Sequence, residues 1–473
     1  MPWAVKASFG NGRDGGALLT YFDEQRAYEF MRRLSFTRPG GTVEEARAAE
    51  LIAAELRTAG LMPVLESFQV WTYEEEPSRV DVPAPGTGGR ASGAELRETF
   101  VAAPVGLSGV TDPDGVTGEL VFVETGEEEF LHGIRGKIAL TYELGAAKKY
   151  ERLAKAEPKA VIAIGDPGRD LLHVSHYANY FRRWGKLPTV IIRYEDGLRL
   201  IRSGAREVVV VCRQREIQAE SRNVVVEIPG AGFGEATPSD DDYILLGGHY
   251  DSVPATAGAH DNAGGSAILV ELARILAAHP PRRTVRIAWF GAEELGLHGS
   301  AAYVESRMKA AGPETASSKT ALDRIKLVVN VDVAGGTIGR NHCVVTGPES
   351  LKNYVEVLGK EIGVGLAIKL GVMSSDGTPF GDKGVPSVNF ARYGGATANL
   401  HTPYDALEHT DSYHLAMLGR LVEVFVHRTA NAMAYPFERD IPESVKKDIA
   451  KYREESMGME KEPSAEEKAK GEK

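Results

Sequence analysis

The sequence predicts an α/β protein: a mixed, mostly parallel sheet with helices on both faces, interrupted by an inserted β-rich module. Three observations carry this. From Ser221 to Tyr435 short apolar runs alternate with helical stretches, the pattern of a parallel sheet covered on both sides. Across residues 100–213 that alternation gives way to short apolar runs separated by turn residues. The chain has 473 residues, more than one core normally holds, so two or three domains are expected.

Residues 24–60 read as helical. After Gly40-Gly41-Thr42, the side chains of Ala46, Ala49, Ile52, Ala53 and Leu56 recur at helical spacing until Gly60. Thr42 followed by Glu44 and Glu45 suits a helix start, where acidic side chains meet the positive end of the helix dipole. Residues 64–73 alternate as a strand. Residues 79–98, rich in Pro, Gly, Ala and Ser, read as a linker. In the module that follows, strands are expected at 119–123, 136–140, 159–164, 188–192 and 207–211, with one helix near 146–154. Beyond it, strands are expected at 223–228, 243–247, 284–290, 325–331, 342–345 and 387–390. Helices are expected at 265–279, 299–311, 351–362 and 412–435. The Lys/Glu-rich tail from Ser444 reads as a helix fraying into disorder. The expected domains are therefore 1–82 and 217–440 for the two parts of the main domain, 83–216 for the insert with its linker, and 441–473 for a charged, disordered tail.

Composition removes several function classes. Lys and Arg number 55 against 66 Asp and Glu, a net charge of −11, and no basic run offers a nucleic-acid surface. Two cysteines, Cys212 and Cys343, rule out a disulfide scaffold and a Cys-rich metal site. The N-terminal residues lack the apolar stretch of a secretory signal, and no window approaches the roughly 20 apolar residues of a membrane span. A soluble cytoplasmic protein is the expectation, with no membrane partner.

The informative side chains sit where expected strands end. Leu245-Leu246-Gly247-Gly248-His249-Tyr250-Asp251 runs an apolar strand into His-x-Asp, which places both polar groups on one face. An imidazole there can bind a metal while the carboxylate orients it; a surface pair in a βα loop would read the same. Ten residues on, Asp261 precedes Asn262, Gly264 and Gly265 at the start of a helix, where Asp also serves as an N-cap. Gly291-Ala292-Glu293-Glu294 puts two carboxylates at the end of another strand, where they would repel unless cations neutralise them. Asp332 ends the strand Val328-Val329-Asn330-Val331, and His401 stands in Leu400-His401-Thr402-Pro403-Tyr404-Asp405, a turn before the last long helix. Two imidazoles and several carboxylates at the carboxyl ends of strands in one α/β sheet lie where such sheets bind ligands. His, Asp and Glu without Cys suit Zn²⁺, with Mn²⁺ or Co²⁺ as substitutes, and the donor count fits two ions sharing a carboxylate.

This order of motifs resembles the co-catalytic dinuclear zinc exopeptidases, metallopeptidase family twenty-eight, which includes bacterial aminopeptidases, aminopeptidase Y and glutamate carboxypeptidase. Residues 100–213 resemble the protease-associated insert of several members, notably at Gly136-Lys137-Ile138 and Leu187-Pro188-Thr189. The resemblance implies the zinc exopeptidase fold. It also implies His249, Asp261, Glu294, Asp332 and His401 as metal ligands, with Asp261 bridging; Glu293 as general base; and Asp251 as the carboxylate orienting His249. A cis peptide between Asp261 and Asn262 is implied as well. Peptides would be the substrates, cleaved by a water that two zinc ions activate and Glu293 deprotonates. Arg392 and Tyr393, just past the strand at 387–390, are candidates for the specificity pocket; ordinary loop exposure would read the same.

The sequence departs from the family pattern at Gly377, where His is common, at His260, and at Leu400, where a Tyr is common. Three activities share this pattern. An aminopeptidase comes first; a carboxypeptidase, N-acyl amino-acid hydrolase or one-zinc glutaminyl cyclase keeps the site and changes the substrate; a dead binding relative comes last, since every ligand and the base are present. The related deacylases space their first ligands more widely than the twelve residues from His249 to Asp261.

Overall fold

The computed structural model describes residues 20–84, 96–233, 242–309 and 320–460. In chain order the elements begin with helices α1 (Glu24–Leu34) and α2 (Val43–Thr58) and strands β1 (Val64–Glu75), β2 (Ser78–Pro83), β3 (Leu96–Pro104), β4 (Val116–Phe122) and β5 (Ile138–Tyr142). Then come α3 (Ala147–Ala156), β6 (Ala160–Ile164), α4 (Ala178–Trp184), β7 (Thr189–Ile192), α5 (Tyr194–Arg202), β8 (Glu207–Val211), β9 (Gln214–Ile228) and β10 (Tyr243–His249). They are followed by α6 (Gly265–Ala278), β11 (Thr284–Phe290), α7 (His298–Lys309), β12 (Ile325–Val331), β13 (Arg340–Thr346) and α8 (Glu349–Ile362). The chain closes with β14 (Leu366–Leu370), α9 (Gly377–Asp382), β15 (Ser387–Tyr393), α10 (Ser412–Asn431) and α11 (Glu443–Glu455).

The chain divides into two units, one of residues 1–72 and 216–446, the other of 73–215 and 447–473. The first is built on an eight-stranded sheet, order β1-β9-β11-β10-β12-β15-β13-β14. The pairs β10–β11, β10–β12, β12–β15 and β13–β14 are parallel, while β9–β11 and β13–β15 are antiparallel, so the sheet is mixed. Both faces are covered. Ile244 and Leu246 of β10 join one apolar cluster with α1, α2, α6, α8 and α10, whereas Tyr243 and Leu245 join another with Tyr303 of α7 and Phe380 of α9. Burial on both faces is why this strand reads as continuously apolar rather than alternating. Thr42 caps α2 by accepting from the Glu45 N–H at 3.2 Å, and the chain leaves the helix through Gly60 at φ +76°.

The second unit is a closed seven-stranded barrel, order β2-β3-β7-β6-β5-β4-β8, filled by Val80, Phe100, Ile138, Ile162, Val190 and Val208 among others. Strands β4 to β7 pair in parallel in succession, which requires crossovers; α3 and α4 supply two of them. Among its described residues this module holds three α-helices, α3 to α5, where the sequence suggested one. The segment read as linker from residue 79 contains β2, which pairs with β3 and β8; the middle of that segment, 85–95, lies outside the described residues. The C-terminal segment is also more ordered than a charged tail. Helix α11 and residues 456–459 pack on α4: Tyr452 Oη lies 2.9 Å from Tyr177 Oη, and Arg183 donates to Gly458 O at 2.9 Å. Residues 461–473 lie outside the described residues. Among the described residues no helix is long and apolar enough to cross a membrane.

Candidate metal centre and active site

Parallel pairing brings the carboxyl ends of β10, β11, β12 and β15 to one edge of the sheet. His249, the last residue of β10, is in register with Phe290, the last of β11; Glu293 and Glu294 follow in the next turn. Asp332 directly follows β12, its N–H donating to Phe390 O at 3.0 Å. Asp261 comes from the irregular turn Ala259–Gly264 ahead of α6, and His401 from the loop between β15 and α10.

These segments converge. His249 Nε2 lies 3.0 Å from Asp261 Oδ1 and 3.2 Å from Asp332 Oδ1. His401 Nε2 lies 3.3 Å from Asp261 Oδ2 and 3.2 Å from Glu294 Oε2. Asp261 thus turns one oxygen to each imidazole. Donor atoms of His249, Asp261 and Asp332 lie within 4.8 Å of one another, as do those of Asp261, Glu294 and His401, and those of His249, Glu293 and Glu294. Imidazoles and carboxylates without thiolate are a donor set that fits zinc, and a carboxylate with one oxygen in each set fits two ions. Cys212 and Cys343 are buried elsewhere, in the barrel and the main core.

The electrostatics are those of a site built for cations. Burial opposes charge on His249 and His401, yet Glu293 and Asp332 around the first, and Glu294 and Asp261 around the second, hold both well above the usual imidazole range. Asp261 is buried too, but its contacts with the two histidines pull its carboxyl below the usual range. Glu293 moves the other way: burial, then the Glu294, Asp376 and Asp332 carboxylates, push it well up against the pull of His249. Burial likewise pushes the Asp376 carboxyl up to about 7, with Asp332 and Asp251 adding to it.

A second layer orients the first. Asp251, fully buried, accepts from the Glu293 N–H at 3.0 Å and the Glu294 N–H at 3.2 Å, and its Oδ1 lies 3.4 Å from His249 Nδ1. One carboxylate therefore steers the imidazole and pins the paired glutamates. Asp405 does the same for the Asp261 turn, accepting from His260 N at 2.8 Å, His260 Nδ1 at 2.8 Å and Asp261 N at 3.2 Å. Ser375 donates to Asp332 Oδ2 at 2.5 Å and accepts from Asn330 Nδ2 at 2.7 Å. Asp261 does not cap α6, whose N-cap is Gly264; the Asn262 Oδ1 accepts from the first N–H of the helix, that of Gly265, at 2.9 Å. The backbone is unusual where the ligands attach. The Asp261–Asn262 peptide is cis, and Ala292, Val333 and His401 take positive φ of 52°, 63° and 60°. Such non-glycine residues cost about 1–3 kcal/mol each and persist only where packing holds them.

All seven residues expected at the centre (His249, Asp251, Asp261, Glu293, Glu294, Asp332 and His401) meet there. Of the two substrate-pocket candidates, Tyr393 faces the cluster. Burial raises its phenol, Asp332, Asp261 and Glu293 add to that, and its Oη contacts Met373 Sδ at 3.6 Å. Arg392 does not. It is 6% exposed and donates to Gly336 O at 2.5 Å, Thr337 O at 3.3 Å and Asn341 Oδ1 at 3.2 Å. The strand runs to Tyr393 rather than ending at Phe390, and alternation along it sends Arg392 and Tyr393 to opposite faces. Sequence reasoning gave no role to Asp405, although it ends the motif His401-Thr402-Pro403-Tyr404-Asp405, nor to Asp376, which adjoins the departure at Gly377.

Asp251→Asn tests the second layer. An amide cannot accept from both glutamate N–H groups, so zinc affinity or activity should fall by roughly 10–100-fold, the usual effect of losing an outer-shell partner. Zinc titration of the folded variant measures it, and wild-type affinity would remove Asp251 from this role.

Residues 223–426 match the model of Peptidase family M28. The chain is 28% identical over 429 residues to aminopeptidase YwaD of Bacillus subtilis, covering 88% of this chain and 87% of that one. Its fold is similar to that of BSAP, a zinc aminopeptidase from Bacillus subtilis, with TM-score 0.68 and 26% identity over 90% of this chain and 99% of BSAP. It is also similar to an aminopeptidase from Aneurinibacillus sp. strain AM-1, with TM-score 0.65 and 25% identity over 88% of this chain and 98% of that one. The segment that matches Peptidase family M28 carries every ligand candidate together with Glu293, Asp251 and Asp405.

Proposed function

We propose that this chain is a zinc-dependent aminopeptidase that releases N-terminal residues from peptides at a two-metal centre. The observation that carries it is the Asp261 carboxylate, with one oxygen toward His249 and Asp332 and the other toward His401 and Glu294. The likeness to zinc aminopeptidases along nearly the whole chain supports the substrate class.

In this reading His249, Asp332 and Asp261 hold one zinc, and Asp261, Glu294 and His401 the other; Co²⁺ or Mn²⁺ could take the same donors. Zinc, when bound, supplies Lewis acidity, which lowers the pKa of a coordinated water and polarises the scissile carbonyl. Glu293 takes the proton from the attacking water onto its carboxylate and returns it to the leaving amine. A carboxyl that burial and neighbouring carboxylates raise above the usual range suits both transfers. Asp251 keeps Glu293 in place through its backbone N–H and keeps the His249 ring aimed. Tyr393 lines the substrate side. Arg392, spent on backbone carbonyls, offers no clamp for a substrate's C-terminal carboxylate, whereas the acidic centre suits an N-terminal ammonium. The barrel unit is read as a protease-associated-like insert, on the strength of its motifs and its place in the chain.

The deciding experiment is a panel of aminoacyl and N-acylated substrates assayed with zinc restored. Release of free N-terminal residues, abolished by N-acetylation, is expected. Cleavage confined to C-terminal residues or to acylated amino acids would transfer the site to the carboxypeptidase or acyl-hydrolase class.

A further inference from the structure

The turn between α1 and α2 precedes the metal centre by some two hundred residues, yet it reaches the segments that carry most of the donor residues. Arg38 is fully buried, and among the described residues the hydrogen bonds of its guanidinium all go to backbone carbonyls, three of them more than 200 positions on. Nε donates to Tyr250 O at 2.5 Å; Nη1 donates to Phe36 O at 2.9 Å and Ala257 O at 2.6 Å; Nη2 donates to Gly258 O at 2.9 Å. Tyr250 stands between His249 and Asp251, and Gly258 opens the turn that delivers Asp261. One planar fork therefore ties the first ligand to the bridging one, a task suited to Arg and beyond the single ammonium of Lys. The backbone adds to it: the Arg38 N–H donates to Ser252 Oγ at 3.1 Å, and the Ser252 N–H to Arg38 O at 3.3 Å. Burial lowers the Arg38 pKa to about 10, while Asp251, Asp405, Asp261 and Glu294 favour its charge, so it stays cationic at neutral pH beneath the acidic cluster.

Seven residues on, Glu45 braces the other half. Its buried carboxylate accepts from Gly41 N at 2.7 Å, Ser221 Oγ at 2.7 Å and Ala292 N at 2.9 Å. Ala292 is the left-handed residue immediately before Glu293. Gly40 packs so closely on it that a Cβ at Gly40 would lie 2.8 Å from Ala292 Cα, which only glycine avoids. Neither Arg38 nor Glu45 touches a donor atom. Both touch the backbone that aims the donors.

We propose that Arg38 and Glu45 are positioning residues that hold the His249–Asp251, Asp261 and Glu293–Glu294 segments at their mutual spacing, so that the metal centre is already formed in the metal-free protein. This rests on the metal-centre reading above. The test uses the full chain stripped of metal. Arg38→Met, Arg38→Lys and Glu45→Gln are compared with wild type for zinc affinity by competition with a chromogenic chelator, for thermal unfolding with and without zinc, and for kcat and KM.

Zinc affinity per folded molecule should fall by roughly 10–100-fold in each variant, the usual range for losing support of metal ligands. Lys should rescue little of the Arg38→Met loss, because the fork rather than the charge is needed. Saturating zinc should return much of kcat, with KM nearly unchanged. Wild-type zinc affinity in variants that merely unfold at lower temperature would overturn the proposal, leaving these residues a structural role alone; full rescue by Lys would overturn the fork argument. Where Arg38→Met fails to fold, the milder Arg38→Lys and the near-isosteric Glu45→Gln decide. Failure of the wild-type protein itself to bind zinc would sink the metal-centre reading, and this proposal with it.

Discussion

Glu293→Gln is expected to lower kcat by roughly 10²–10⁴-fold, the range for loss of a general acid–base group, while leaving the metal content unchanged. Glu293 belongs to neither of the two donor sets that share Asp261, so replacing its carboxylate by an amide of the same shape should cost proton transfer and little else. Glu294→Gln should do the reverse. Its Oε2 faces His401 at 3.2 Å within the second set, so this variant should weaken one metal site and recover part of its rate in excess zinc. The pH profile gives a further check. Burial and the Glu294, Asp376 and Asp332 carboxylates raise the Glu293 pKa. A base must be ionised, so activity should be present above that pKa and lost as pH falls through it. Bound cations will draw the value down from its metal-free position. The residual rate of Glu293→Gln should lack this acidic limb. Full activity of Glu293→Gln at neutral pH would remove Glu293 from the role of base.

Removal of metal is expected to abolish activity, and restoration should require two equivalents of zinc per chain. Without cations the centre crowds carboxylates around two imidazoles, which those carboxylates hold above the usual imidazole range against the effect of burial. Bound metal must displace the protons these imidazoles take up, so zinc affinity should weaken as pH falls. Stability should follow occupancy: zinc at a hundredfold excess over its dissociation constant adds about 2.7 kcal/mol, visible as a rise in Tm. His249→Ala and His401→Ala should each lose one ion's affinity as well as rate. A fully active preparation holding at most one ion per chain would overturn the shared-carboxylate reading and favour a one-metal activity.

Much of the catalytic unit was legible in the sequence because its physics is local. Strands β11 and β12 occupy the ranges their apolar runs predict, since a strand buried on both faces writes itself as an unbroken hydrophobic segment. The centre was legible for a related reason: parallel strands deliver their carboxyl ends to one edge, so polar residues placed just after apolar runs must meet there. Elements with weak local signals were missed. Strand β14 is half-buried at the edge of the sheet, and α9 is a six-residue helix containing Gly, Thr and Pro. In the second unit α4 and α5 lay hidden among short apolar runs, and β2 lay inside a stretch read as linker.

What only the tertiary structure decided is how the donors are held. Extending β15 to Tyr393 reversed the reading of Arg392, because three more residues in the strand fix which side chain faces inward. Asp405 reaches back 145 positions to His260, Arg38 forward 212 to Tyr250, and Glu45 forward 247 to Ala292. These are hydrogen bonds between side chains and backbone groups, Arg38 donating and Asp405 and Glu45 accepting. Backbone donors and acceptors are the same at every residue, so no motif marks the partner. The identity of the donors was therefore written in the sequence as residue types at strand ends. Their aim came from contacts that exist only once distant segments of backbone are packed against one another.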